Sequence, residues 1–191
     1  MIIIRPETPS DARAVRAVHE RAFAQAAEAD IVDAIRAACP DALSLVAVAG
    51  DRLVGHILFS PAVIQSAGRP VRGMGLAPMA VLPEHQREGI GSRLVQNGLD
   101  RLRRQACPFV VVLGHPAYYP RLGFVPAVRH NLACQWKGVP ENAFMVKILD
   151  EDLMSGVSGT ATYRDEFDAA MQLDRIAPPA VSGETLKHDL Q

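Results

Sequence analysis

The stretch MAVLPEHQREGIG, residues 79–91, joins a predicted strand to a predicted helix. Two glycines, Gly89 and Gly91, stand where that helix begins. Unpaired backbone N–H groups and the positive end of the helix dipole meet at such a point, and glycine lets a ligand approach the backbone closely. The turn therefore predicts an anion site, and a diphosphate group fits that description.

Two familiar phosphate loops do not match this turn. No Gly-Lys-Ser/Thr sequence follows it, which excludes a P-loop, and Leu94 stands where a dinucleotide fingerprint has its third glycine. A glycine-rich turn by itself is common in α/β proteins. The turn therefore favours neither ATP nor NAD, and a nucleotide-binding α/β domain remains only as a minor alternative.

The segments on both sides of the turn predict a single α/β domain. Pro78 cannot donate a hydrogen bond within a sheet, so we expect a bulge or a splayed edge there. An amphipathic helix is predicted over residues 92–104, and two earlier helices are predicted between Thr8 and Pro40. The predicted strands cover residues 2–5, 43–49, 53–59, 74–82, 109–113, 132–136 and 143–149.

The length and composition suit one globular core. The chain has 191 residues, of which 49% are hydrophobic and 21% charged. We expect a domain over residues 1–150, an extension packed on or near it over residues 151–173, and a loosely ordered tail over residues 174–191. The formal net charge of −1 gives no overall field for binding nucleic acid or an anionic membrane.

Targeting and metal motifs are also missing from the sequence. The apolar start is too short for a secretion signal, and no stretch is long enough to span a membrane, so we expect a cytoplasmic protein. Cys39, Cys107 and Cys134 are widely spaced, and the histidines lack paired metal spacing. We therefore expect no disulfide framework and no metal.

The glycine turn resembles the acetyl-CoA motif of the GNAT superfamily of N-acetyltransferases. That motif is a strand, then Gln/Arg-x-x-Gly-x-Gly/Ala, then a helix, and Gln86, Gly89 and Gly91 match it. The segment YYPRLGF, residues 118–124, also resembles the family's Tyr-x-x-x-Gly-Phe segment after the next strand. The resemblance covers roughly residues 2–149 and implies a mixed, mostly antiparallel sheet, splayed at the acetyl-CoA cleft and flanked by helices.

The resemblance also implies where the cofactor lies. The CoA diphosphate would bind the N–H groups between Arg87 and Gly91, and the pantetheine arm would pair with the strand from Met79 to Val81. A backbone N–H of that strand would stabilise the oxyanion. The cofactor-binding residues implied are Met79, Ala80, Val81, Gln86, Arg87, Glu88, Gly89, Ile90 and Gly91.

The catalytic residues are assigned by the same resemblance. Tyr119 matches the family tyrosine that protonates the departing CoA thiolate, whereas Tyr118 is expected in the core. Many relatives have a glutamate base on the strand before the turn, but residues 73–82 contain no acid. The alternatives are His115, named first because it ends a strand near the cleft, then His56, or ordered water.

The resemblance implies an N-acetyltransferase that moves the acetyl group of acetyl-CoA to a primary amine by direct attack in a ternary complex. The acceptor is expected to be a small-molecule or peptide amine, with no nucleic acid or membrane partner. The missing strand acid keeps a second alternative open, a non-catalytic acyl-CoA-binding regulatory module. The oligomeric state also stays open, with a homodimer among the alternatives.

Overall fold

A mixed sheet forms the centre of the fold in a computed structural model that describes residues 1–168. The strands are β1 (Ile2–Pro6), β2 (Leu43–Ala49), β3 (Arg52–Gln65), β4 (Val71–Val81), β5 (Phe109–Leu113), β6 (Val125–Pro126), β7 (Leu132–Cys134), β8 (Phe144–Ile148) and β9 (Gly159–Thr162). The main helices are α1 (Ala12–Phe23), α2 (Ala27–Ala38) and α3 (Ile90–Arg104), and α4 (Glu151–Met154) is a short one. None of the helices within residues 1–168 is long and apolar enough to cross a bilayer.

The strand order β1-β2-β3-β4-β5-β8-β6 confirms the predicted α/β sheet. Most neighbours are antiparallel, whereas β4 pairs with β5 in parallel and β7 with β9 in parallel. The predicted hairpin around Gly50 joins β2 to β3, since the positive φ of Gly50 suits a tight turn. Helices pack on the sheet, which matches the layered architecture that the sequence predicts.

The pairing between β4 and β5 ends about halfway along β4. Their pairing ends at Leu76 opposite Val112, although β4 continues to Val81. On the other side of β4, the register with β3 shifts next to Pro78, whose peptide bond with Ala77 is cis. The bulge predicted at Pro78 is confirmed. Beyond Leu76 the last residues of β4 have no strand partner on the β5 side, and we call this unpaired region the gap between β4 and β5.

The two faces of β3 carry different chemistry because successive side chains of a strand alternate. Phe59 and Gly55 face α3, where they meet Gly98 and Leu94. His56 faces α1, where it meets a histidine side chain. The α3 face of the sheet is therefore apolar, and the α1 face contains buried polar groups.

Gly98 of α3 lies directly against the ring of Phe59. A Cβ at residue 98 would lie 2.2 Å from Phe59 Cε2, and this ring is fully buried. We expect Gly98→Ala to lower the free energy of unfolding by about 1–3 kcal/mol, although alanine favours a helix by about 1 kcal/mol over glycine. Urea unfolding tests this, with Gln96→Ala on the exposed face as a control; a stability gain at residue 98 would contradict the close contact.

Between residues 150 and 168 the chain returns to the sheet. β9 pairs with β3 between Val63 and Gln65, and with β7 on its other side. Strands β6 and β9 and helix α4 were not predicted from the sequence. The predicted tail over residues 174–191, and residues 169–173 of the predicted extension, lie outside the described residues.

Candidate active site

The start of α3 presents a row of backbone N–H groups. A short 3₁₀ turn follows β4, and the Gln86 side-chain amide then donates to the Val81 carbonyl at 3.0 Å, which ties the loop to the strand. Arg87 and Gly89 both have positive φ angles, 65° and 78°. No backbone carbonyl of the described residues accepts from the N–H groups of residues 87–92. These donors can hold an anion at the positive end of the helix.

The two sequence motifs meet at this helix start. A Cβ on Gly91 would lie 2.8 Å from the Tyr118 hydroxyl, so only glycine permits this approach. The Tyr118 hydroxyl lies 3.2 Å from Ser92 Oγ, and Met79 of β4 lies on the same side. The glycine turn, the open end of β4 and the tyrosine segment therefore form one site.

The end of β4 has one free edge. Met79, Ala80 and Val81 pair with Ile57, His56 and Gly55 of β3, but β5 has already ended its pairing at Leu76. A strand edge without a partner can bind an extended ligand through its main chain. The gap between β4 and β5 is thus suited to a linear amide-containing chain that begins at the start of α3.

Tyr119 closes the β5 side of this gap. Its ring packs on the Gly114 backbone, where a Cβ would lie 2.3 Å from the ring, and it meets the edge of Phe124. The residue is 7% exposed, and burial, followed by the charge of the neighbouring Tyr118, raises its pKa. Like any phenol it is protonated at neutral pH, as a proton donor must be.

The two histidines predicted as bases lie in different surroundings. His115 is exposed, and its Nδ1 accepts from the Ala117 N–H at 3.2 Å. His56 is fully buried on the α1 face, directly across from Ala80 of β4. Only His56 belongs to a polar network that reaches the surface.

The rest of that network was missed by the sequence analysis. His19 Nε2 lies 2.7 Å from His56 Nδ1, and His56 Nε2 lies 2.8 Å from Ser44 Oγ and 3.3 Å from Glu7 Oε2. Ser44 donates to Glu7, and Arg36 pairs with Glu7 at 2.7 Å. His19 could have been noticed, because Val15 and Val18 place it on the buried stripe of α1.

Tyr163 was also missed, because it follows β9 far along the chain. Its ring covers Gly75 of β4, where a Cβ would lie 2.4 Å away, and it stacks on Trp136 at 5.2 Å. Its buried hydroxyl has no hydrogen-bond partner among the described residues. Burial raises the pKa of this phenol, with Cys134 and Tyr119 adding to the shift. Tyr163 therefore lies beside the end of the β4–β5 pairing.

The buried histidines make stability depend on pH. Burial, and then the charge of His56, lowers the pKa of His19 from 6.5 to about 3. Below the ordinary value the unfolded chain binds a proton that the folded chain does not, so stability falls as pH decreases from about 6.5 towards 3. Burial opposes ionisation of Glu7, but hydrogen bonds to His56 and Ser44 outweigh it and lower the pKa of Glu7 from 4.5 to about 2. The stability that ionised Glu7 contributes is therefore lost only as pH falls from about 4.5 towards 2.

We expect His19 alone to make the free energy of unfolding about 2 kcal/mol smaller at pH 5 than at pH 7.5, and His56, whose pKa burial also lowers, to add to this difference. Urea unfolding at several pH values measures the difference. His19→Gln should reduce the dependence on pH and leave the part due to His56, whereas His130→Gln, at a half-buried position outside the network, should retain all of it. An equal pH dependence in all three proteins would contradict a neutral buried His19.

No group of three potential ligands that could hold a metal ion occurs within residues 1–168.

The chain resembles known proteins over most of its length. The acetyltransferase (GNAT) domain model matches residues 3–127. The uncharacterized N-acetyltransferase YhbS of Escherichia coli is 38% identical over 168 residues, covering 87% of this chain and 99% of that protein.

Solved structures give the same relationship. The crystal structure of YhbS in complex with CoA superposes with a TM-score of 0.82 and 38% identity, covering 87% of this chain and 92% of that one. A GNAT family acetyltransferase from Brucella melitensis in complex with acetyl-CoA has a TM-score of 0.72 and 36% identity, covering 88% and 99%. The family match, together with relatives aligned over nearly their whole length, shows that this chain belongs to the GNAT family of acetyltransferases.

Proposed function

We propose that the protein transfers the acetyl group of acetyl-CoA to a primary amine by direct attack within a ternary complex. The observation that carries this proposal is the parting of β4 and β5 next to the unpaired N–H groups of residues 87–92. Relatives at 38% and 36% identity were crystallised with CoA and with acetyl-CoA. Their bound cofactors support a CoA site in this chain.

The diphosphate of CoA would bind the N–H groups from Arg87 to Gly91, with Gln86 holding the loop in place. Glu88, Gly89 and Ile90 supply backbone to the same turn. The pantetheine arm would then run along the free edge of β4 from Val81 to Met79. Binding of the diphosphate would need no charged side chain, because the start of α3 itself carries a positive potential.

The chemistry follows from the groups around the gap. A backbone N–H near Met79, Ala80 or Val81 would stabilise the oxyanion formed when the amine attacks, an interaction worth about 3–4 kcal/mol. Tyr119 would donate its phenol proton to the departing thiolate. A phenol is protonated at neutral pH, so it could give this proton to a sulfur anion that forms beside it.

Calorimetry and thiol release test the proposal together. Titration with acetyl-CoA and with CoA should give saturable heat, and acetyl-CoA plus a panel of amines, peptides and polyamines should release CoA thiol only when an acceptor is present. Absence of binding would overturn the CoA site. Binding without acceptor-dependent thiol release would instead favour the regulatory module, for which the lack of an acid in residues 73–82 is the supporting observation.

A further inference from the structure

The pairing between β4 and β5 stops at one point, which we call the fork. The last pair joins Leu76 to Val112, and two residues further along β4 stands Pro78, which has no N–H to continue the pairing. If the pantetheine arm runs along β4 from Val81 to Met79, the acyl group at its end is directed towards the fork. The residues at the fork then decide how long an acyl group the site can hold.

The ring of Tyr163 covers the sheet at the fork. A Cβ on Gly75, the residue before Leu76, would lie 2.4 Å from Tyr163 Cε1, so only glycine leaves room for this ring. Gly75 pairs with Ser60, which is on the same face of β3 as His56 because side chains alternate along a strand. Tyr163 therefore lies on the α1 face, and an acyl group that enters from the α3 side would meet it.

The phenol end of Tyr163 lies where the gap between β4 and β5 begins. Burial raises the pKa of this phenol, and the backbone of Leu113 opposes the rise, which requires the hydroxyl to be close to Leu113. Leu113 is the residue after Val112 and is thus just beyond the last pair of the fork. Tyr163 therefore closes the narrow end of the gap.

The ring of Tyr163 is held in place by its other neighbours. It is buried, stacks on Trp136 with the ring centroids 5.2 Å apart, and meets the edge of Phe167 at 5.4 Å. The Trp136 indole N–H donates to Asp168 at 2.9 Å, and the backbone N–H of Tyr163 donates to the Gln135 side chain. Because protein interiors are closely packed, a ring with these contacts cannot turn aside for a longer ligand.

We propose that Tyr163 limits the transferred acyl group to acetyl, because its ring closes the fork on the α1 face. This inference rests on the proposed function, since it names the class of acyl-CoA that the same site uses. An acetyl group leaves the ring where it is, whereas each further methylene would have to displace it. One methylene in a fitted pocket changes kcat/KM by about 10- to 200-fold. Tyr163 is thus a specificity-determining residue and takes no part in proton transfer.

The Tyr163 hydroxyl allows the ring and the oxygen to be tested separately. It is buried and forms no hydrogen bond with any residue of the described part of the chain. Removing a buried hydroxyl that has no partner leaves no other group unpaired, so Tyr163→Phe should fold and keep the ring over Gly75. Tyr163→Ala removes the ring and opens space at the fork. Phe167→Ala is the matched control, because it removes a neighbouring ring of the same aromatic cluster.

Acetyl-CoA, propionyl-CoA and butyryl-CoA, each with the amine that gives thiol release with acetyl-CoA, measure the preference. We expect the unaltered protein to use butyryl-CoA about 100-fold less efficiently than acetyl-CoA in kcat/KM. Tyr163→Ala should raise the ratio of butyryl-CoA to acetyl-CoA by about 10- to 200-fold, whereas Tyr163→Phe and Phe167→Ala should change it by less than about threefold. Calorimetry gives the same comparison as Kd values, and binding of acetyl-CoA shows that each variant is folded. Tyr163→Leu, which loses less packing, is the second variant and should raise the ratio of propionyl-CoA to acetyl-CoA.

The outcomes separate this inference from the proposed function. The inference is overturned if the unaltered protein uses butyryl-CoA as well as acetyl-CoA, or if Tyr163→Ala and Tyr163→Leu leave the ratios unchanged. It is also overturned if Phe167→Ala raises the ratio as much as Tyr163→Ala does, because lost packing would then be the cause. If no acyl-CoA releases thiol, the proposed transfer fails, and the Kd values for the three acyl-CoAs decide the inference by the same criteria. If none of the three binds, the CoA site fails and the inference fails with it.

Discussion

Tyr119→Phe is expected to lower kcat by about 100- to 10,000-fold while changing the Kd for acetyl-CoA by less than about threefold. The substitution removes only the hydroxyl, and the ring continues to pack on Gly114 and Phe124. The departing thiolate then has no buried acid beside it. Thiol-release kinetics and calorimetry on the same preparation measure the two quantities.

Tyr118→Phe provides the matched comparison for this experiment. The Tyr118 hydroxyl contacts Ser92 at the start of α3, and burial raises its pKa as well. Its loss should affect cofactor affinity more than turnover, because it lies on the α3 side of the gap. If Tyr119→Phe weakened acetyl-CoA binding as much as it slowed turnover, the Tyr119 ring would be structural and the assignment as an acid would fail.

Ser92→Asp is expected to change stability and cofactor affinity in opposite directions. An added carboxylate in the first turn of α3 interacts favourably with the helix dipole, and should raise the free energy of unfolding by about 0.3–1 kcal/mol. The same charge repels a diphosphate at residues 87–91, and should weaken acetyl-CoA binding by about 10- to 100-fold. Urea unfolding and calorimetry measure the two changes.

Ser92→Asn is the control, because it has the same shape without the charge and loses the same hydroxyl contact to Tyr118. The difference in Kd between the aspartate and asparagine variants isolates the charge. High salt should reduce that difference, since ions screen exposed charges. Equal affinities in the two variants at low salt would show that no anionic group of the cofactor approaches the start of α3.

Local patterns in the sequence predicted much of the fold. Four features depend only on residues that are close together in the sequence, and short segments are enough to predict them. They are the hairpin at Gly50, the break at Pro78, the apolar run of β5 and the amphipathic α3. Strands β6 and β9 could not be found in this way. β6 has only two residues, and β9 is specified by its pairing with Val63–Gln65 of β3 rather than by alternation.

The candidate site was predictable only where it rests on main chain. In the glycine turn, the groups that would bind the anion are backbone N–H groups. The glycines that allow the turn to adopt its shape are visible in the sequence, and they therefore identify the site. The histidine network is different, because Glu7, Ser44 and His56 come from three strands or strand ends and His19 from a helix. Nothing in their spacing brings them together, and only the strand register does so. The roles of Tyr119 and His115 stay predictions.

The return of β9 to β3 has a consequence for biosynthesis. Tyr163 covers Gly75 only after residues 159–162 have paired with β3, a contact between positions distant in the chain. Pairings of such wide separation form late during folding. A nascent chain synthesised only as far as β8 would therefore contain the start of α3 and the unpaired edge of β4. Tyr163, which covers Gly75 beside them, would be missing until β9 and the residues after it had emerged.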